Sequence, residues 1–134
     1  MTKALDLRAP QIAIRFDKGK TLKPIFYFLG PAYEVINLTG YHARMQARVK
    51  VDDGSPVLDL STDTAGLDII IGTATVPGRA PITNAQGVQL NVTDAQTAAF
   101  TWQKAFFDIE LIEPGGTVLP FIKGILMLDY EVTR

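Results

Sequence analysis

The sequence predicts an all-β fold, an antiparallel sandwich of about seven or eight short strands with one short crossover helix. Three observations carry that expectation: strict two-residue alternation over residues 41–50, turn chemistry recurring about every ten residues, and one N-capped helical turn between strand patterns. In residues 41–50, Tyr41, Ala43, Met45, Ala47 and Val49 alternate with His42, Arg44, Gln46, Arg48 and Lys50. Period two in a polar and apolar pattern describes a strand with one buried and one wet face.

Taken in order, Ile12, Ile14 and Phe16 alternate before an Asp17-Lys18-Gly19-Lys20 turn. Residues 22–29 are rich in aromatic and branched side chains and predict a second strand. Pro24 lacks an N–H, so that strand belongs at an edge or carries a bulge. After the residue 41–50 strand, Asp52-Asp53-Gly54-Ser55 supplies a tight connection to a strand over residues 57–60. Residues 67–71 and 88–92 read as strands, and the segment between them, with Pro77, Gly78 and Pro81, predicts a protruding loop over residues 73–87. Thr93 followed three positions later by Gln96 is a capping-box pattern, so residues 95–100 predict a short helical crossover between sheets. In residues 106–112, Phe107, Ile109 and Leu111 occupy one face and Asp108 and Glu110 the other. Glu113-Pro114-Gly115-Gly116 is a turn, and residues 117–132 form a last long strand or pair of strands. Residues 1–10 read as an N-terminal arm, and residues 11–134 as a single β-sandwich domain.

Composition narrows the function classes. The chain has 134 residues, 47% hydrophobic and 20% charged, which suits one globular core. Thirteen basic and 14 acidic residues leave a formal net charge of −1, without the basic excess that phosphate neutralisation requires, so no direct nucleic-acid partner is expected. There is no Cys, which excludes disulfides, thiolate chemistry and Cys-based metal sites. Residues 1–9 include Asp6 and Arg8 and lack the apolar core of a secretory signal, so export is not expected. No apolar run approaches the ~18 residues of a membrane-spanning helix, and no membrane partner is expected.

His42 is the only histidine and falls on the polar face of its strand, where solvent exposure accounts for it without a catalytic role. Asp59, Asp63 and Asp68 could place oxygens near a cation, but no segment matches a calcium loop, and neither metal nor cofactor is expected. Ser55 and Ser61 lie outside any nucleophile-elbow context, and no triad motif surrounds the single histidine. The Gly115-Gly116 pair precedes a strand, whereas phosphate loops lead into a helix. A non-enzymatic protein is expected. Arg44, Arg48 and Lys50 carry two readings, a solvated face that discourages aggregation or a basic docking stripe. Trp102, near Phe100, Phe106 and Phe107, also carries two: a cap on the core or an exposed interface anchor.

Leu38-Thr39-Gly40-Tyr41, followed by Arg44-Met45-Gln46-Ala47-Arg48, resembles the start of a strand in the immunoglobulin-like domains of tailed-phage virion proteins, including the N-terminal domain of upper baseplate proteins. Residues 93–99 are similar to the family's helical crossover, Phe107-Asp108-Ile109-Glu110-Leu111 to a later strand, and Gly124 with Val132-Thr133-Arg134 to the closing strand. The resemblance runs from about Phe16 onward and implies an immunoglobulin-like β-sandwich with a structural role. Two departures matter. The residue 73–87 segment is longer than the expected turn, and the chain ends at Arg134 without a helical extension, which favours an adaptor over a fibre.

What the resemblance implies is a subunit of a tailed-phage virion, assembled in the host cytoplasm. It would dock with copies of itself and other virion proteins as a neck, collar, tail or baseplate adaptor. Capsid decoration or head-fibre attachment is the nearest alternative, and a carbohydrate-binding module is the alternative from another class. The expected interface residues are Leu5, Leu7 and Arg8 in the arm, His42, Arg44 and Arg48 on the strand face, and Pro77 and Arg79 in the loop.

Overall fold

The computed structural model describes residues 11–50, 52 and 54–129. These form eight strands and one helix in two sheets. The strands are β1 (Gln11–Asp17), β2 (Ile25–Tyr27), β3 (His42–Arg48), β4 (Leu58–Ser61), β5 (Leu67–Ala74), β6 (Ile82–Leu90), β7 (Lys104–Ile112) and β8 (Val118–Asp129), with α1 (Asp94–Ala98) between β6 and β7. The larger sheet has the order β1-β8-β7-β3-β4, and the smaller has the order β2-β6-β5. The fold is an all-β sandwich, as the alternation implied.

The alternation decides which face is buried. Ala43, Met45 and Ala47 of β3 are buried, and so are Ala105, Phe107, Ile109 and Leu111 of β7. The two strands pair so that Met45 lies opposite Ile109 and Ala47 opposite Phe107. Leu67, Val88 and Leu90 reach the same core from the smaller sheet. Burial of this continuous apolar layer supplies the dominant driving force for folding. The intervening residues His42, Arg44, Asp108 and Glu110 then fall on the outer face.

Local chemistry fixes the connections. Gly40 takes a φ of +82°, a left-handed turn that costs a side-chain-bearing residue energy, and Tyr41 N–H closes the turn on the Leu38 carbonyl at 3.0 Å. Thr93 caps α1 in a full capping box with Gln96. The helix carries the chain from β6 in one sheet to β7 in the other, as expected. Thr97, fully buried, accepts the Gly19 N–H at 3.0 Å and donates to the Lys20 carbonyl at 2.8 Å, so the helix holds the β1–β2 connection in place. Beyond Glu113-Pro114-Gly115-Gly116 the chain forms one strand, β8, of 12 residues.

Three expectations change. The strand expected over residues 22–29 is reduced to β2, three residues at an edge directly after Pro24. The sheet is not wholly antiparallel, because β1 runs parallel to β8 from Gln11 opposite Lys123 to Asp17 opposite Asp129. The Asp17–Lys20 turn sends the chain across to the other sheet, where Leu22 bridges Val92, so β1 is left beside the last strand. The long loop expected over residues 73–87 is mostly ladder. β5 continues to Ala74 and β6 begins at Ile82, leaving residues 75–81 as the tip. Its turn-forming residues Pro77 and Gly78 are confined to that tip, where Arg79 N–H bonds the Val76 carbonyl at 3.1 Å.

Candidate docking surfaces

The outer face of the larger sheet gathers side chains from four strands. β3 contributes His42, Arg44, Gln46 and Arg48, and β7 contributes Phe106, Asp108 and Glu110. Lys123 and Ile125 stand opposite Asp108 and Phe106 on β8, and Gln11 stands beside Lys123 on β1. Gln11, Gln46, Arg48, Phe106, Asp108, Lys123 and Ile125 line an open groove of about 360 Å³.

Its charges are balanced rather than basic. Arg44 Nε donates to Glu110 Oε1 at 2.6 Å, Arg48 Nη1 donates to Gln46 Oε1 at 2.9 Å, and Gln46 Nε2 reaches Asp59 Oδ2 at 3.3 Å. Burial raises the Asp108 carboxyl above its ordinary 3.8, Glu110 adds to the rise, and Arg48, Arg44 and Lys123 oppose it. Phe106 is 39% exposed on this polar face, with the Lys104 ammonium 5.6 Å from its ring centre. Phe106 is thus an exposed aromatic on a face otherwise made mostly of polar and charged side chains.

Of the expected interface residues, His42, Arg44 and Arg48 share this outer face, with His42 at its margin and Nδ1 2.6 Å from Asp63 Oδ1 in the β4–β5 connection. Pro77 and Arg79 are exposed at the β5–β6 tip, a separate surface on the other sheet, where Arg79 lies 4.6 Å over the Tyr33 ring. Leu5, Leu7 and Arg8 lie outside the described residues, as do Val132, Thr133 and Arg134. Of the three basic residues Arg44, Arg48 and Lys50, Arg44 is paired with Glu110 of β7 and Arg48 with Gln46 of its own strand.

Phe106, Lys123 and Ile125 were not among the expected interface residues. Phe106 was detectable because its parity sets it with Asp108 and Glu110 rather than with Phe107. Lys123 and Ile125 required the β7–β8 register, which no local pattern encodes. Trp102 packs edge-on against Phe16 at 6.1 Å and lies 4.8 Å from Phe100, so it closes one end of the core. Asp59, Asp63 and Asp68 each engage a different side chain, Gln46, His42 and Asn91. No group of three or more potential metal ligands converges among the described residues. No helix among them is long and apolar enough to cross a membrane.

No protein-family model matches the chain, and no curated protein matches it.

Proposed function

We propose that this protein is a non-enzymatic structural subunit of a tailed-phage virion, docking through an immunoglobulin-like sandwich as a neck, collar, tail or baseplate adaptor. The phage part of the reading rests on the resemblance at residues 38–48, and the observation that supports its immunoglobulin-like part is the strand order. In an immunoglobulin variable-type sandwich one sheet runs G-F-C-C′ and the other contains B-E-D. Here β8-β7-β3-β4 and β2-β6-β5 stand in those two orders, and the Leu38-Thr39-Gly40-Tyr41 turn leads into the strand in the C position. Those residues of the phage resemblance that the structure describes serve as scaffold: a turn, a strand, a capped crossover and, at Gly124, a position within β8.

Two surfaces support a docking role within that scaffold. The groove around Phe106 and Asp108 presents an aromatic anchor among oriented charges, and the β5–β6 tip projects Pro77 and Arg79 as a second contact. Mass spectrometry of purified phage particles, followed by cryo-EM localisation, tests the reading. The protein is expected in the particle in a fixed number of copies, with one or both surfaces covered. Its absence from purified particles overturns the reading, and location on the capsid shell supports the decoration alternative.

A further inference from the structure

Four strands end the two sheets: β1 and β4 in the larger, β2 and β5 in the smaller. An open edge presents rows of backbone N–H and C=O groups, and soluble proteins blunt such edges with shortness, proline, charge or bulges. Three of the four are blunted. β4 has four residues, β2 has three and follows Pro24, and β1 carries Arg15 and Asp17. β5 is different. It has eight residues, Leu67-Asp68-Ile69-Ile70-Ile71-Gly72-Thr73-Ala74, with one charge and no proline. Its Ile71 is 66% exposed, the most exposed large apolar side chain among the described residues.

The open stretch has defined limits. At its start Gly66 bridges Ser61 of β4. At its far end the β5–β6 register shifts between Gly72 and Ala74, and an irregularity of this kind bends a strand away from a flat edge. Residues 68–72 lie between, with Ile70 at the centre.

We propose that residues 68–72 of β5 pair antiparallel with the same residues of a second copy, about a two-fold axis at Ile70, so that two smaller sheets become one continuous sheet. This site is independent of the phage reading and holds whatever the particle. The second copy is the occupant because the edge is self-complementary in this register. Asp68 faces Gly72, so the single charge on each edge meets no like charge. Ile69 faces Ile71 on the same side of the sheet, and the exposed Ile71 gains an apolar cross-strand neighbour. Moving the axis to Asp68 sets two carboxylates directly opposite each other, which opposes pairing. Asp68 also holds Asn91 Nδ2 at 2.5 Å within its own chain, which fixes that carboxylate.

The chain contains no Cys, so single-cysteine trapping has no background. A residue on the axis faces itself at a Cα spacing of about 4.5–5.5 Å, inside the range of roughly 4.4–6.8 Å that a disulfide spans. Under mild oxidation Ile70→Cys is expected to give a disulfide-linked dimer at least tenfold faster than Ile71→Cys, which lies off the axis. Ile71→Cys mixed with Ile69→Cys is expected to link as a heterodimer. Sedimentation of the unmodified chain should show a concentration-dependent dimer, and Ile71→Lys, at an exposed position, should abolish it while leaving unchanged the melting temperature measured at concentrations where the parent is monomeric. Equal trapping rates at positions 70 and 71 overturn the proposal. So does a chain that stays monomeric at every concentration, as pairing reserved for a different protein would require, and so does a dimer that survives Ile71→Lys.

Discussion

Gly124→Ala is the substitution whose consequence the structure fixes most sharply. Gly124 of β8 stands opposite Ile12 of β1 in the parallel ladder. A Cβ built there would lie 1.7 Å from the Ile12 carbonyl oxygen and 2.8 Å from its carbonyl carbon. Both are backbone atoms, so no side chain can rotate aside, and β1 must shift or detach. Overpacking of this kind costs ~1–3 kcal/mol. Displacing β1 also exposes Ile12, Ile14 and Phe16, each a contributor of up to about 1.5–3 kcal/mol when fully buried. We expect a loss of about 3 kcal/mol, with a melting temperature lowered by about 10 °C for a chain of this length. Gly115→Ala is the control, because nothing lies within 4 Å of its Cβ. Calorimetry gives the stability, and amide exchange of residues 12–16 shows whether β1 is the element released. A Gly124→Ala protein that melts with the parent and keeps those amides protected would refute the steric reasoning.

Three further outcomes follow from individual side chains. Thr97→Val removes the acceptor of the Gly19 N–H and the donor to the Lys20 carbonyl at part-buried bonds, which should cost about 1 kcal/mol in urea unfolding. Asp108→Asn should raise the melting temperature at neutral pH by about 2 °C, within the range of surface substitutions. The folded carboxyl is raised above 3.8, so its ionised form disfavours the fold; the gain should fade as pH falls through the folded pKa and vanish below 3.8. Arg44→Ala removes the 2.6 Å pair with Glu110, but both side chains reach solvent, so a loss below about 1 kcal/mol is expected, smaller still in high salt.

The sequence made the sandwich legible wherever one face of a strand is wet. β3 and β7 alternate without interruption, so their buried faces and even their mutual parity could be read directly. The capping box at Thr93 and Gln96 marked the crossover for the same reason, because its signal lies within four residues. Pairing between distant segments was not legible. That β1 runs parallel to β8 depends on contacts more than a hundred residues apart, and each strand alone is equally compatible with an antiparallel neighbour. The hairpin over residues 67–90 was obscured because Pro77, Gly78 and Pro81 lie close together and make the flanking Thr, Ala and Asn residues resemble loop. For the candidate surface, the charges of β3 were visible but their neutralisation was not, since Glu110 and Asp108 reach them only through the β3–β7 register.

Docking of the sandwich in a phage particle is the role we propose. A cryo-EM reconstruction of that particle, at a resolution that traces side chains, tests it most directly. Density for the two-sheet fold is expected at the neck, collar, tail or baseplate, with a neighbouring protein seated against Phe106 and Asp108 or against the Pro77 and Arg79 tip. A particle that lacks the fold, or one that leaves both surfaces in open solvent, would contradict it.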